Sequence, residues 1–181
     1  MTRRLEKRMK ELQKLGKKCF VAYITAGDPS LEATPGIVKA LVKGGADIIE
    51  LGIPFSDPLA DGPTNQRSSE RALAKGASLK KILKLVAQIR QQDSATPLVL
   101  FTYMNPIDAT GFQSFAAEAQ ASGVDGVLVV DMPPEESQEY RDILQKHELD
   151  TIYLAAPTSS ESRIQLADSS STGFLYYVSR T

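Results

Sequence analysis

Three carboxylates fall within one short run, IIELGIPFSDPLADGP, from Ile48 to Pro63: Glu50, Asp57 and Asp61. Glu50 interrupts the apolar series Ile48, Ile49, Leu51 and Ile53, which otherwise reads as a strand covered on both faces. A carboxylate held in such surroundings either finds a partner or has its pKa raised, by up to about 3–5 units in extreme cases, and a raised carboxyl exchanges protons near neutral pH. The plainer alternatives are an ion pair or an edge strand that turns Glu50 to solvent. The loop that follows favours chemistry. Pro54, Pro58 and Pro63 stiffen a segment that also carries Ser56, Asp57 and Asp61, and Gly62 permits an unusual turn.

The elements that must position these groups alternate. Strand-like apolar runs occur at Phe20 to Ile24, Ile48 to Ile53, Leu98 to Tyr103, Val127 to Val130, Thr151 to Leu154 and Phe174 to Val178. Helical patterns lie between them. Ile37, Ala40 and Leu41 mark one, with Thr34 and Pro35 as N-cap and first turn and Gly44 and Gly45 ending it. Ile82, Leu85, Val86 and Ile89 mark another, opened by Ser78. Later helices are predicted over Phe112 to Gln120, Glu135 to Lys146 and Glu161 to Ala167, where Thr158 and Glu161 have capping-box spacing. Such alternation implies parallel strands joined by right-handed crossovers, in an open doubly wound sheet or a closed barrel. No G-x-G-x-x-G follows the first strand, where Thr25-Ala26-Gly27-Asp28-Pro29 stands instead, and this counts against a dinucleotide-binding sheet. Polar residues collect just after several strands, at Asp28, Asp57, Asp61, Asn105, Asp131 and Arg180, as they do at the C-terminal face of an eight-unit barrel.

Composition bounds the function. A chain of 181 residues with 42% hydrophobic content can bury one core, and no linker divides it. A net charge of -1 with interspersed signs indicates neither a nucleic-acid face nor an acidic tail. The basic excess from Arg3 to Lys18 reads as a solvated helix face, because Leu5, Met9, Leu12 and Leu15 recur at helical spacing between the charges. Neither a secretory signal nor the roughly 20 apolar residues of a membrane span is present, so a soluble, cytoplasmic protein is expected. The single Cys19 excludes an internal disulfide, and with only His147 besides it leaves no cluster of soft metal ligands. Beside an apolar strand Cys19 reads as a small buried thiol rather than a nucleophile.

The motif around Glu50 resembles the signature of the tryptophan synthase alpha subunit family. The resemblance continues in FVAYITAGDPS (Phe20 to Ser30), FTYMNPI (Phe101 to Ile107), VLVVDMPPEES (Val127 to Ser137), LAAPTSS (Leu154 to Ser160) and YYVSRT (Tyr176 to Thr181), covering nearly the whole chain. It implies a TIM (β/α)8 barrel of which about six βα units are present, residues 1–181 forming a single partial barrel domain behind an N-terminal helix. An eight-unit barrel typically takes about 250 residues. The family's pattern runs on past the final SRT to a mobile loop and to strands whose turns hold a substrate phosphate, so the chain is expected to be a truncated member. Open edges on its first and sixth strands then predict aggregation or pairing with another chain.

What the resemblance implies about chemistry is specific. The family cleaves indole-3-glycerol phosphate to indole and glyceraldehyde 3-phosphate, a lyase step of tryptophan biosynthesis. Retro-aldol cleavage needs an electron sink, commonly a lysine Schiff base or a metal. Here the lysines fall on predicted helices or, for Lys17, Lys18 and Lys75, at junctions away from the C-terminal strand ends. Protonating indole at C3 makes the ring its own sink, and carboxylates then suffice. Glu50 corresponds to the family's acid/base and Asp61 to a second carboxylate that balances positive charge on the indole nitrogen, the alternative for Asp61 being a turn residue paired with Gly62. Tyr176 matches an active-site tyrosine, with core packing as its alternative.

Tyr23, Phe101, Tyr103, Leu128, Val130 and Leu154 match positions lining an indole pocket, although each alone reads equally as barrel core. Tyr23 stands where related chains often have phenylalanine, so its hydroxyl must find a partner or face the substrate. The family pairs with a beta subunit that carries pyridoxal phosphate, in an alpha-beta-beta-alpha tetramer. The alpha chain itself is then expected to hold no cofactor and no metal. Pro54, Asp57, Pro58 and Asn105 correspond to the contact region. Two rivals remain: a different barrel enzyme acting on a phosphorylated substrate, and a noncatalytic fragment that only binds the beta subunit.

Overall fold

The computed structural model describes residues 3–179; Arg180, counted above among the polar residues that follow strands, lies outside them. Among the described residues six strands alternate with helices. They are α1 (Arg4–Lys14), β1 (Val21–Thr25), α2 (Thr34–Lys43), β2 (Ile48–Gly52), α3 (Pro63–Ala74), α4 (Leu79–Gln92), β3 (Leu98–Thr102), α5 (Met104–Asp108), α6 (Phe112–Ser122), β4 (Gly126–Val129), α7 (Gln138–Lys146), β5 (Asp150–Ala155), α8 (Glu161–Ser170) and β6 (Leu175–Tyr177).

Every strand pairs in parallel with its sequence neighbours, in the order β1-β2-β3-β4-β5-β6. This order decides between the two architectures. A doubly wound sheet reverses its strand order at a switch point, whereas a barrel adds strands consecutively. The side chains agree, because each strand feeds two separate cores by alternation. Ile49, Leu51, Leu98, Leu100, Val127 and Val129 pack outward against Val86, Phe115 and other helix residues. Ile48, Val99, Leu128 and Ile152 pack inward with Phe101, Val130, Leu154 and Tyr176, and Leu5 and Met9 of α1 reach the same interior cluster.

The observed elements depart from the expected ones in ways that have local causes. Phe20 precedes β1 and is exposed, its backbone N–H donating instead to Asp47 Oδ2 at 2.7 Å. Thr34 is not a cap; it is the first helical residue, its hydroxyl donating to the Ser30 carbonyl at 2.9 Å while accepting from the Gly27 N–H at 3.0 Å. Pro35 does stand in the first turn, and Gly44 ends the helix. Ser78 caps α4 as expected, accepting from Lys81 N–H. The predicted helix Glu135 to Lys146 divides into a 3-10 turn, Pro134–Glu136, and α7, with Ser137 buried at the break and its hydroxyl on the Pro134 carbonyl. The cap of α8 is Ser160, whose oxygen accepts from Arg163 N–H, and Thr158 lies outside the helix.

The basic face of α1 corrects a larger expectation. Its arginines are not simply solvated. Arg3 pairs with Asp150, Arg4 with Asp125 at 2.8 Å and Arg8 with Asp47 at 2.5 Å. Arg90 of α4 reaches Asp125 from the other side at 2.5 Å. The three aspartates precede or begin β2, β4 and β5 and are all buried. Helix α1 therefore closes the N-terminal end of the sheet through Leu5 and Leu12 and clamps it by charge.

Candidate active site

Glu50 lies at the middle of β2 with Tyr23 of β1 and Val99 of β3 as its lateral neighbours. It is 2% exposed, and its Oε1 has no hydrogen-bond partner among the described residues. Burial pushes its carboxyl up to about 7, with no cation among the described residues opposing the shift. The ion-pair and edge-strand alternatives for Glu50 therefore fail. A recess of about 230 Å³ opens beside it, lined by Val21, Glu50, Phe174, Leu175, Tyr176 and Tyr177.

Aromatic rings wall the interior on both sides of this carboxyl. Tyr23 meets Phe101 edge-on at 5.3 Å between ring centroids, and Phe101 meets Tyr176 at 6.4 Å. Leu128, Val130 and Leu154 belong to the same interior cluster, with Leu128 fully buried and the other two partly so. Burial raises the Tyr176 phenol, and the negative charge of Glu50 raises it further. Tyr23 is likewise raised first by burial and then by the charges of Asp61 and Glu50, against the effect of its hydrogen bond to Thr25. Both carboxylates thus act on the Tyr23 hydroxyl. Gly52 is what makes room for it: a Cβ at Gly52 would lie 2.2 Å from Tyr23 Oη.

Asp61 is held by a second group of contacts above the strand ends. The hydroxyl of Tyr103 donates to Asp61 Oδ2 at 2.9 Å and accepts from the Ala60 N–H at 3.0 Å. Phe55 stacks on the Tyr103 ring at 5.1 Å. Gln66 Nε2 donates to the Asp61 carbonyl at 2.8 Å, and Asp61 N–H closes a turn on the Pro58 carbonyl at 3.0 Å. Tyr103 was expected as an apolar wall; its hydroxyl instead fixes a candidate catalytic carboxylate. Burial and the adjacent Asp61 push the Tyr103 phenol well above its ordinary value.

Two elements were not anticipated from sequence. Helix α3 follows Asp61 directly and lies over the end of β1, where Arg71 grips Asp28 through two hydrogen bonds of 2.9 and 2.7 Å. Lys75 consequently reaches the Pro29 carbonyl, at 2.5 Å, rather than standing away from the C-terminal strand ends. The short α5 places Asn105 in the open, and Asp131 Oδ1 accepts from the Met104 N–H at 2.7 Å. Asp57 is exposed and takes the Ser56 hydroxyl at 2.6 Å, while Pro54 is buried and Pro58 partly so.

A larger recess, about 440 Å³, lies at the opposite end beside Arg4, Lys7, Arg8 and Asp47. Arg4 and Arg8 already have carboxylate partners there, which leaves the smaller recess at Glu50 as the candidate site. Among the described residues no group of three or more His, Cys, Asp or Glu side chains could hold a metal ion, and no helix is long and apolar enough to cross a membrane. Cys19 is half-buried against the interior cluster, and burial raises its thiol, which suits a packing residue.

Residues 9–181 match the family model described as "Tryptophan synthase alpha chain". The chain belongs to that family. It is 52% identical to the tryptophan synthase alpha chain of Laribacter hongkongensis over 97% of its own length and 67% of that relative's. It is 55% identical to that of Xanthomonas oryzae over 98% of its length and 66% of the relative's. The crystal structure of the alpha subunit from Legionella pneumophila superposes with a TM-score of 0.96 at 45% identity, over 99% of this chain and 68% of that one. A chain from the tryptophan synthase α2β2 complex of Pyrococcus furiosus superposes with a TM-score of 0.84 at 45% identity, over 88% and 64% respectively. The chain therefore spans about two thirds of the length of these relatives, and its six-stranded sheet is a partial TIM barrel.

Proposed function

We propose that this chain carries the acid/base half of a tryptophan synthase alpha site, cleaving indole-3-glycerol phosphate to indole and glyceraldehyde 3-phosphate. The supporting observation is Glu50: a carboxyl with a buried, unpartnered oxygen, poised at about 7 and facing a recess walled by aromatic rings. A group at that value has both forms available near neutral pH, as a residue that gives and then takes a proton requires.

In this reading neutral Glu50 protonates indole C3, and the ring becomes an electron-accepting indolenine. The resulting carboxylate removes the proton of the side-chain hydroxyl. The C–C bond breaks, its electron pair neutralises the ring nitrogen, the aldehyde leaves, and Glu50 is again neutral. Asp61, held by Tyr103, accepts a hydrogen bond from the indole N–H and balances the charge that develops there. The phenol of Tyr176 supports the ionised form of Glu50. Tyr23, Phe101, Leu128, Val130 and Leu154 supply flat apolar walls for the ring.

The same reading assigns the loop of Pro54, Asp57 and Pro58, with the exposed Asn105, to a beta-chain partner, as in an α2β2 assembly. Pyridoxal phosphate would then reside in that partner, with no cofactor in this chain. The loop that would dock also carries Asp61, so docking and placement of that carboxylate are coupled.

The test is indole release from indole-3-glycerol phosphate, with a beta chain present, comparing this chain with one carried to its relatives' length. Release by the longer chain supports the reading. Silence from both overturns it.

A further inference from the structure

The loop that carries Asp61 enters helix α3 without the usual device for fixing its direction. Gly62 is the N-cap of α3 and Pro63 its first residue, and no side chain caps the helix. A glycine cap supplies no side-chain oxygen and does nothing to restrain the chain before it. Asp61 stands just outside the helix, next to that cap. Many helices fix this entry with an apolar contact between the residue before the cap and the fourth helical residue. In α3 those two positions are Asp61 and Gln66, and the contact is polar.

Gln66 Nε2 donates to the Asp61 carbonyl at 2.8 Å and lies 3.5 Å from the Pro58 carbonyl, which itself accepts the Asp61 N–H at 3.0 Å. Two carbonyls facing one amide settle which way it points, because only its nitrogen donates. One partly buried side chain thus braces both ends of the turn from Pro58 to Asp61. The brace has a firm footing. The buried Ser68 Oγ lies 2.6 Å from Thr25 Oγ1 at the end of β1, and Arg71 holds Asp28 about one helical turn further along.

We propose that Gln66 is a positioning residue for the reaction, aiming the Asp61 carboxylate by holding the backbone on which it stands. Asp61 then has two supports from different parts of the barrel. Tyr103, at the end of β3, grips one carboxyl oxygen, about which the turn could still pivot, and Gln66 of α3 fixes the main chain and removes that freedom. This inference rests on the role proposed for Asp61.

The test compares Gln66→Met and Gln66→Glu in the chain carried to its relatives' length, by NMR-detected amide exchange and by indole release with a beta chain present. Both variants keep the side chain's length and helix propensity, and both lose the donor. A carboxylate near a helix N-terminus also favours the helix, so a role in α3 stability alone predicts that Gln66→Glu is harmless. The expected result is that exchange at Ala60 and Asp61 quickens about fivefold in both variants, the scale of one hydrogen bond, while Glu70 and Arg71 inside α3 keep their rates. In an active chain kcat falls about tenfold and KM changes by less than about twofold, as when an interaction made in the transition state is lost. Unchanged exchange at Asp61 overturns the proposal. So does exchange that quickens equally through α3, a harmless Gln66→Glu, or a loosened turn with unaltered kcat. Exchange needs no turnover, so a loosened turn in a chain whose parent releases no indole counts against the proposed function alone.

Discussion

Tyr103 and Asp61 form one hydrogen-bonded unit in which the phenol donates to the carboxylate at 2.9 Å while its oxygen receives the N–H of Ala60, the residue just before that aspartate. The contact pins a loop carboxylate to the end of β3, and stacking by Phe55 holds the phenol in turn. Tyr103→Phe keeps the packing, leaves Asp61 short of a donor and the Ala60 N–H short of an acceptor. The expected result is a loss of about tenfold in kcat/KM for indole release by a chain of full family length, equivalent to roughly 1–1.5 kcal/mol. An unchanged circular dichroism spectrum would separate this from unfolding. Unaltered kinetics would relieve Tyr103 of its role.

Glu50 makes two predictions of different kinds. Glu50→Gln removes the proton carrier and is expected to lower indole release by at least about 10²–10⁴-fold, since the group acts in two steps. Asp61→Asn should also be severe, because an amide cannot balance charge on the ring nitrogen.

The second concerns stability. The folded carboxyl sits at about 7 against an ordinary 4.5, so between those values the folded state holds a proton that the unfolded state has released. Stability attributable to Glu50 is therefore full below about pH 4.5, falls as pH rises, and levels off above about pH 7, a total change on the order of 3 kcal/mol. Glu50→Gln abolishes that slope. Urea unfolding of both proteins across the range should show the difference in stability swinging toward the variant by about that amount. Parallel curves would mean that Glu50 is not held neutral.

Much of this architecture is legible in the residues, because a buried parallel strand writes itself as a continuous apolar run and Glu50 stands out against one. Strand–helix alternation alone does not choose between sheet and barrel, since that depends on which strands become neighbours; the polar residues after the strands and the family resemblance are what point to the barrel. Helix α3 hides for another reason: Thr64, Asn65, Gln66 and Arg67 carry no apolar stripe, and the helix is held instead by Ser68, Arg71 and Lys75 contacts with the β1 end. The dual character of Tyr103 is invisible for the same cause, because its partner lies 42 positions away. The cap of α8 shows the limit of spacing rules. Thr158 and Glu161 have the capping-box interval, yet the chain turns helical two residues later and Ser160 does the capping. Ser160→Ala should cost about 1 kcal/mol in urea unfolding and Thr158→Ala nearly nothing; the reverse order would restore the spacing argument.

The N-terminal clamp yields the last expectation. Asp47 is buried, which by itself would raise its carboxyl, but the Phe20 N–H and Arg8 together hold it below the ordinary 3.8. A folded pKa depressed in this way contributes stability that is present above the unfolded value and lost as pH falls through the folded one. Asp47→Asn should leave the Arg8 guanidinium and the Phe20 N–H poorly matched and cost about 2 kcal/mol at neutral pH. Arg8 is 39% exposed and water takes up part of its charge, which keeps the cost below that of breaking a fully buried pair. In acid, below that depressed folded value, the native aspartate is itself protonated and the two proteins should converge. A penalty that persists undiminished in acid would locate the role of Asp47 in packing rather than in charge, and α1 would then be held to the sheet chiefly by Leu5 and Leu12.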